Sequence, residues 1–121
     1  MIDAETAGVA FSRNPIHPLD RNHVIVDAVL GLGEGLVSGQ LEADHYEVHR
    51  KNFDVKSELV TKMDAFRQAP QGGVLQVPVP AKQQQLAALT DEQVREIARL
   101  GIRLETCLGT PQDCEWAYDR E

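Results

Sequence analysis

Thr90-Asp91-Glu92-Gln93-Val94-Arg95-Glu96-Ile97-Ala98-Arg99-Leu100-Gly101-Ile102-Arg103-Leu104-Glu105-Thr106-Cys107-Leu108, followed by Gly109-Thr110-Pro111-Gln112-Asp113-Cys114-Glu115-Trp116-Ala117-Tyr118, carries two hydrophobic patterns in succession. Val94, Ile97, Ala98, Gly101, Leu104 and Leu108 recur at spacings of three and four, which predicts a helix with one apolar face. Thr90 is placed to cap that helix while Gln93 reaches back to it, forming a capping box. Gly109 stops the helix, and Pro111 lies just beyond. Gln112 to Tyr118 then reads as a strand. A one-faced helix running straight into a strand predicts an α+β chain, with a mixed or antiparallel sheet, a C-terminal helix packed on it and a final strand.

On that strand, residues two apart point the same way, so the Asp113 and Glu115 carboxylates stand side by side. Paired carboxylates on a rigid strand suit a hard cation such as magnesium, which takes oxygen ligands and bridges phosphates. The plain alternative is a solvent-facing edge strand with acidic residues.

Upstream, Gly8 to Ser12 reads as a short apolar strand ended by Arg13-Asn14-Pro15, and Ile16 to Asn22 as a hairpin loop. His23 to Leu30 is almost continuously apolar, which predicts a central strand buried on both faces and broken by Gly31 to Gly35. Asp44 to Arg50 alternates in strand fashion, and Phe53 to Val60 can pair with it through a turn at Lys51-Asn52. Thr61 to Gly73 is polar and ends in a surface loop, Ala69 to Gly73. Val74 to Val79 is a further short strand, closed by Pro78 and Pro80 and therefore placed at an edge.

The 121 residues make one domain or less, and 42% hydrophobic with 26% charged residues is a globular balance. A net charge of −7 argues against a nucleic-acid binder with a basic surface. The apolar runs are far too short to span a bilayer, and the acidic start Met1 to Thr6 lacks the basic opening of a signal peptide. With Cys107 and Cys114 alone, no disulfide framework is implied, and a reduced cytoplasmic setting fits best. Both cysteines read as small buried hydrophobes.

Gly31-Leu32-Gly33-Glu34-Gly35 is a turn whose backbone N–H groups can approach phosphate oxygens, or else a strand-to-helix turn that needs glycine for positive φ. It is neither a dinucleotide fingerprint nor a P-loop, because Glu34 stands where a P-loop carries lysine. His45 and His49 share a strand face at roughly 13 Å, too far apart to chelate one ion together, and read as surface histidines. Neither Ser12 nor Ser38 sits in a nucleophile elbow.

Taken in order, Ala7-Gly8-Val9-Ala10-Phe11-Ser12-Arg13-Asn14-Pro15, Val24-Ile25-Val26-Asp27-Ala28, Gly31 to Gly39, Leu89-Thr90-Asp91-Glu92-Gln93 and Gly109 to Ala117 resemble one family. It is the ATP-grasp nucleotide-binding domain of the phosphoenolpyruvate synthase, pyruvate phosphate dikinase and rifampin phosphotransferase group. The resemblance covers nearly the whole chain. It implies that ATP lies between two α+β subdomains with its terminal phosphates held by Mg2+. Within it, Glu115 looks like the metal-binding glutamate with Asp113 beside it. Gly33 and Glu34 look like the phosphate-side loop, and Ser12 and Asn14 fall in the strand-end motif facing the cleft.

The resemblance also implies what is missing. The family's phosphate-clamping lysine and arginine and its glycine-rich lid lie upstream of this stretch, and a Leu-Gln-x-Arg strand that completes the metal site lies downstream. The swivelling domain with its phosphorylated histidine matches none of the four histidines here. Residues 1–121 are therefore expected to be the C-terminal half of the ATP-grasp domain, inactive alone and with at most weak affinity for Mg-ATP. The remainder of the parent enzyme is the expected partner, and an uncovered cleft face would also favour a homo-oligomer.

Two readings of the parent follow, a dikinase passing phosphate from ATP through a histidine to pyruvate, or an antibiotic phosphotransferase whose acceptor is a drug hydroxyl. Leu36-Val37-Ser38-Gly39 leans toward the synthase-like or antibiotic branch. A reading of another class is a stand-alone, non-catalytic binding module with a self-sufficient core.

Overall fold

The run His23 to Leu30 forms the middle strand of a five-stranded sheet in a computed structural model that describes residues 4 to 119. The strands are β1 (Ala4–Phe11), β2 (His23–Leu30), β3 (Asp44–His49), β4 (Val55–Glu58) and, after the other elements, β7 (Asp113–Asp119). Their order is β4-β3-β2-β1-β7, and each neighbouring pair is antiparallel. A separate two-stranded sheet pairs β5 (Asp64–Gln68) with β6 (Val74–Pro78). Among the described residues two helices complete the fold, α1 (Glu34–Val37) and α2 (Asp91–Leu108). Among the described residues no helix is long and apolar enough to cross a membrane.

The capping box closes α2 as expected, with Thr90 Oγ1 accepting from the Gln93 N–H at 3.1 Å and Gln93 Oε1 accepting from the Thr90 N–H at 2.9 Å. Gly109 ends the helix at φ 78°, a left-handed conformation that favours glycine. Val94, Ile97 and Ala98 of α2, with Leu89 before it, pack on Ala10, Val24, Val26, Ala28, Tyr46 and Val48 of the sheet. Each large side chain buried there contributes about 1.5–3 kcal/mol.

The apolar stripe of α2 runs shorter than its spacing predicts. Leu104 and Leu108 are exposed, while the buried stripe passes from Gly101 to Glu105, four residues on, where a carboxylate occupies it. Leu100, Leu104 and Leu108 form a neighbouring exposed row. Cys107 is likewise exposed rather than buried, and Cys114 is partly buried, where desolvation and the Asp113 charge push its thiol pKa up.

The stretch Thr61 to Gly73 holds a strand that its polar composition conceals. Ala65 and Phe66 of β5 are buried, and Phe66 packs with Leu32 and Ala7 under the Gly31 turn. Leu36 and Val37, too few to classify from sequence, belong to the short α1.

One polar lock is fully enclosed. Asp44 is 0% exposed and Lys62 4% exposed. Lys62 Nζ donates to Asp44 Oδ1 at 2.9 Å and to the Val60 carbonyl at 2.9 Å. The same carboxylate accepts the N–H groups of Val60 and Ala88, so it ties together the start of β3, the strand-to-strand link and the approach to α2.

Candidate nucleotide and metal site

Directly opposed residues of an antiparallel sheet share a face, so the strand register assigns each side chain to one side. Helix α2 covers the even-numbered side of β7, where Trp116 and Tyr118 pack against the core. Asp113 and Glu115 project from the other side and are exposed. Glu115 stands opposite Val9, Val9 opposite Asp27, Asp27 opposite His45 and His45 opposite Glu58. The next row runs Asp113, Phe11, Ile25, Glu47 and Lys56. The face away from α2 therefore carries carboxylates on β2, β3, β4 and β7 around an apolar centre.

Asp27 was not foreseen as part of this face. The hydrogen bond between His45 Nδ1 and Asp27 Oδ1 spans 2.7 Å, and His45 Nε2 lies 3.7 Å from Glu47 Oε2. Asp27 and Glu115 are separated by one strand, about 10 Å from Cα to Cα at ordinary sheet spacing. The only sequence signal for Asp27 is a charge inside an otherwise apolar central strand.

The Gly31 turn packs on the same face. Gly31 has φ 76°, and a Cβ there would meet the Phe66 carbonyl oxygen at 2.2 Å, so only glycine fits. The Leu32 N–H donates to that same carbonyl at 2.8 Å, and the Gly31 N–H donates to Glu5 at 2.7 Å. Gly33 is the N-cap of α1, and a Cβ on it would lie 3.5 Å from Cβ of Ala7. Glu34, in the first turn, is exposed. Ala7 is two residues from Val9, the partner of Glu115, whereas Asp113 pairs with Phe11 farther along β1. Glu115 is thus nearer the turn along the strand, and Asp113 marks the far end.

Ser12 and Asn14 occupy a different setting. Ser12 is fully buried beside α2, its hydroxyl donating to Glu105 Oε1 at 3.1 Å and accepting the Gln112 N–H at 2.7 Å. Arg13 Nε donates to the same carboxylate at 2.9 Å, and Arg50 Nη2 donates to Glu105 Oε2 at 2.6 Å. Burial alone would raise the Glu105 pKa, but the hydrogen bonds from Arg13 and Ser12 and the Arg50 charge outweigh it and hold the carboxyl low. This cluster fixes the end of β1 to the start of β7, upstream of Asp113 and Glu115.

Asn14 organises the loop after β1. Its Oδ1 accepts the N–H groups of Ile16 and His17, and its Nδ2 donates to Asp20 Oδ2 at 3.2 Å. Ser12 and Asn14 therefore use their polar groups within the protein, while Glu115, Asp113 and Glu34 present theirs to solvent. A cavity of about 530 Å³ lined by Glu5, Thr6, Leu30, Arg67, Leu86 and Ala88 contains none of these residues.

Exposed oxygen ligands from two carboxylates on one rigid strand fit a magnesium ion that keeps several waters. Glu115 and Asp113 could hold such an ion.

The whole chain, residues 1–121, matches the family model described as pyruvate phosphate dikinase, AMP/ATP-binding domain. A phosphoenolpyruvate synthase of Pyrococcus furiosus is 34% identical over all of this chain, which covers 16% of that protein. A rifampicin phosphotransferase of Bacillus subtilis is 35% identical, again over all of this chain and over 14% of its own length. A prodigiosin synthesizing transferase, PigC, of Serratia marcescens is 34% identical over 97% of this chain and 13% of its own. The chain thus spans a small part of each of these relatives, whose names place three different chemistries beside one shared domain. With the acidic face, the glycine turn and the capped helix held in one antiparallel framework, this chain belongs to the AMP/ATP-binding domain family of pyruvate phosphate dikinase.

Proposed function

We propose that the chain is the ATP- and magnesium-binding part of an ATP-grasp phosphotransferase, which passes phosphate from ATP through a histidine held elsewhere in the enzyme to pyruvate. The observation that carries this reading is the exposure of Asp113 and Glu115 on the sheet face that also bears the Gly31 turn. Glu115 and Asp113 would hold Mg2+, and Gly33 and Glu34 would line the phosphate side. Magnesium would supply charge neutralisation along the phosphates. Ser12 and Asn14 serve by setting the strand end and its loop, since their own polar groups are engaged.

In this reading the chain is one half of an ATP-grasp domain and works in the cytoplasm with the remainder of the parent enzyme. A second acceptor class, a hydroxyl on an antibiotic, is supported by the rifampicin phosphotransferase relative at similar identity. Acceptor choice resides in other domains. Alone, the chain is expected to bind Mg-ATP weakly and to transfer no phosphate, because the groups clamping the triphosphate are not among its residues.

The test is an NMR titration of the 121-residue chain with Mg-ATP. Shifts are expected at Glu115, Val9, Gly33 and Glu34, with no change along α2, and Glu115→Gln should weaken the response at least tenfold. Shifts confined to α2, or an unchanged response in Glu115→Gln, would overturn the assignment. ATP hydrolysis by the chain, abolished by Glu115→Gln, would overturn its inactivity alone.

A further inference from the structure

At the β2–β3 side of the same face, a second cluster joins a local pair, three residues apart, to a residue distant in sequence. Asp20 from the loop, His23 at the start of β2 and Glu47 on β3 place one potential ligand atom each within 4.8 Å of one another. Zinc holds imidazole nitrogen and carboxylate oxygen at about 2.0–2.2 Å, so ligand atoms on one ion stand roughly 3 to 4.4 Å apart. The three side chains need only small rotamer adjustments to meet one ion. Each is partly buried, which leaves further positions open to water.

The surroundings orient these groups. Asp20 Oδ1 accepts the Asn22 N–H at 2.9 Å, and Asp20 Oδ2 accepts from Asn14 Nδ2. Such outer hydrogen bonds fix the orientation of ligating carboxylates in metal sites. The His49 ring packs edge-on against His23 at 5.4 Å and 82°, which sets the plane of the imidazole. His23 Nδ1 lies 2.9 Å from Asp20 Oδ2 in a hydrogen bond, and an ion would take the place of the shared proton as the two atoms move apart to ligand spacing. Among the described residues the Glu47 carboxylate receives no hydrogen bond, and its ion-pair partner is His45 at 3.7 Å. Lys56 stands opposite Glu47 on β4 and is exposed. Two carboxylates held this close favour a cation between them, and an imidazole in the set selects a transition ion over magnesium.

We propose that Asp20, His23 and Glu47 form a site for one zinc-type divalent ion, separate from the carboxylates of β7 and independent of the nucleotide reading. Bound there, the ion cross-links the loop after β1 to β2 and β3.

Calorimetric titration of the 121-residue chain with zinc chloride tests this. One zinc per chain is expected, with His23→Gln and Glu47→Gln each weakening it at least tenfold, while His17→Gln, an exposed histidine of the same loop, leaves it unchanged. X-ray absorption on the zinc-loaded unmodified chain should show a nitrogen and oxygen shell containing an imidazole, a readout that does not depend on the variants folding. No zinc uptake, equal affinity in all variants, or sulfur in the shell from Cys107 or Cys114 would overturn the proposal. Magnesium chloride in place of zinc should give at least tenfold weaker binding, and parity would equally overturn it.

Discussion

Replacing Lys62 by methionine keeps most of the side-chain volume and removes one charge from an ion pair enclosed on both sides. Lys62 donates at 2.9 Å both to Asp44 Oδ1 and to the Val60 carbonyl, and Asp44 is 0% exposed. Breaking a buried pair by deleting one partner costs about 3–5 kcal/mol, because the remaining charge is left uncompensated. Here Asp44 keeps two backbone donors, Val60 and Ala88, which places the expected loss near the lower end, about 3 kcal/mol. For a domain of this size each kcal/mol lowers Tm by about 3–5 °C, so Lys62→Met should melt about 9–15 °C lower. Urea unfolding followed by the fluorescence of Trp116 checks it, with the midpoint falling and the slope unchanged. Adding Asp44→Asn should recover part of the loss, since the orphaned charge is then gone. A Lys62→Met midpoint equivalent to less than about 1 kcal/mol of destabilisation would refute the reasoning, placing the pair in the range of exposed ones.

Glu105 links stability to pH. Its folded pKa lies below its unfolded one, so its contribution is present above the ordinary carboxylate range and disappears as pH falls through the folded value. Urea midpoints from pH 7 to pH 3 should therefore show the advantage of the unmodified chain over Glu105→Gln shrinking toward the acid end, and a constant difference would contradict this. Gly8→Ala should cost about 3 kcal/mol or more in the same assay, because a Cβ there would lie 1.8 Å from the Asp27 carbonyl oxygen. Thr90→Ala should cost about 1 kcal/mol through loss of the cap. Leu104→Glu should change stability by no more than about 0.5 kcal/mol, given its exposure, and a loss several times larger would mean that the leucine row is covered in solution.

The elements with strong periodicity were legible from sequence. The capped helix, the unbroken apolar run of β2 and the alternation of β3 each follow a local rule that packing reinforces. The strand β5 was not legible, because its buried Ala65 and Phe66 sit among polar residues and gain their partners, Leu32 and Ala7, from distant parts of the chain. Glu105 illustrates the limit of apolar periodicity, since a carboxylate with three cationic or hydroxyl donors replaces a leucine on the buried stripe. In the site, the shared face of Asp113 and Glu115 follows from the strand period alone. The placing of Asp27 beside His45, and of Glu47 beside the local pair Asp20 and His23, depends on cross-strand register, which no local pattern encodes.

The position of β7 has a kinetic consequence. Its partner strand is β1, and the contact that starts their pairing joins Ser12 to Gln112, 100 residues apart. Pairing over such a separation forms slowly, since the chain must be ordered across the whole loop before the contact repays it. During synthesis β1 is made before β7 and waits with one edge unpaired until β7 emerges. The acidic pair is then set in place only when β7 docks on β1, so under the proposed reading divalent-ion binding at Glu115 should serve as a reporter of that closure of the sheet.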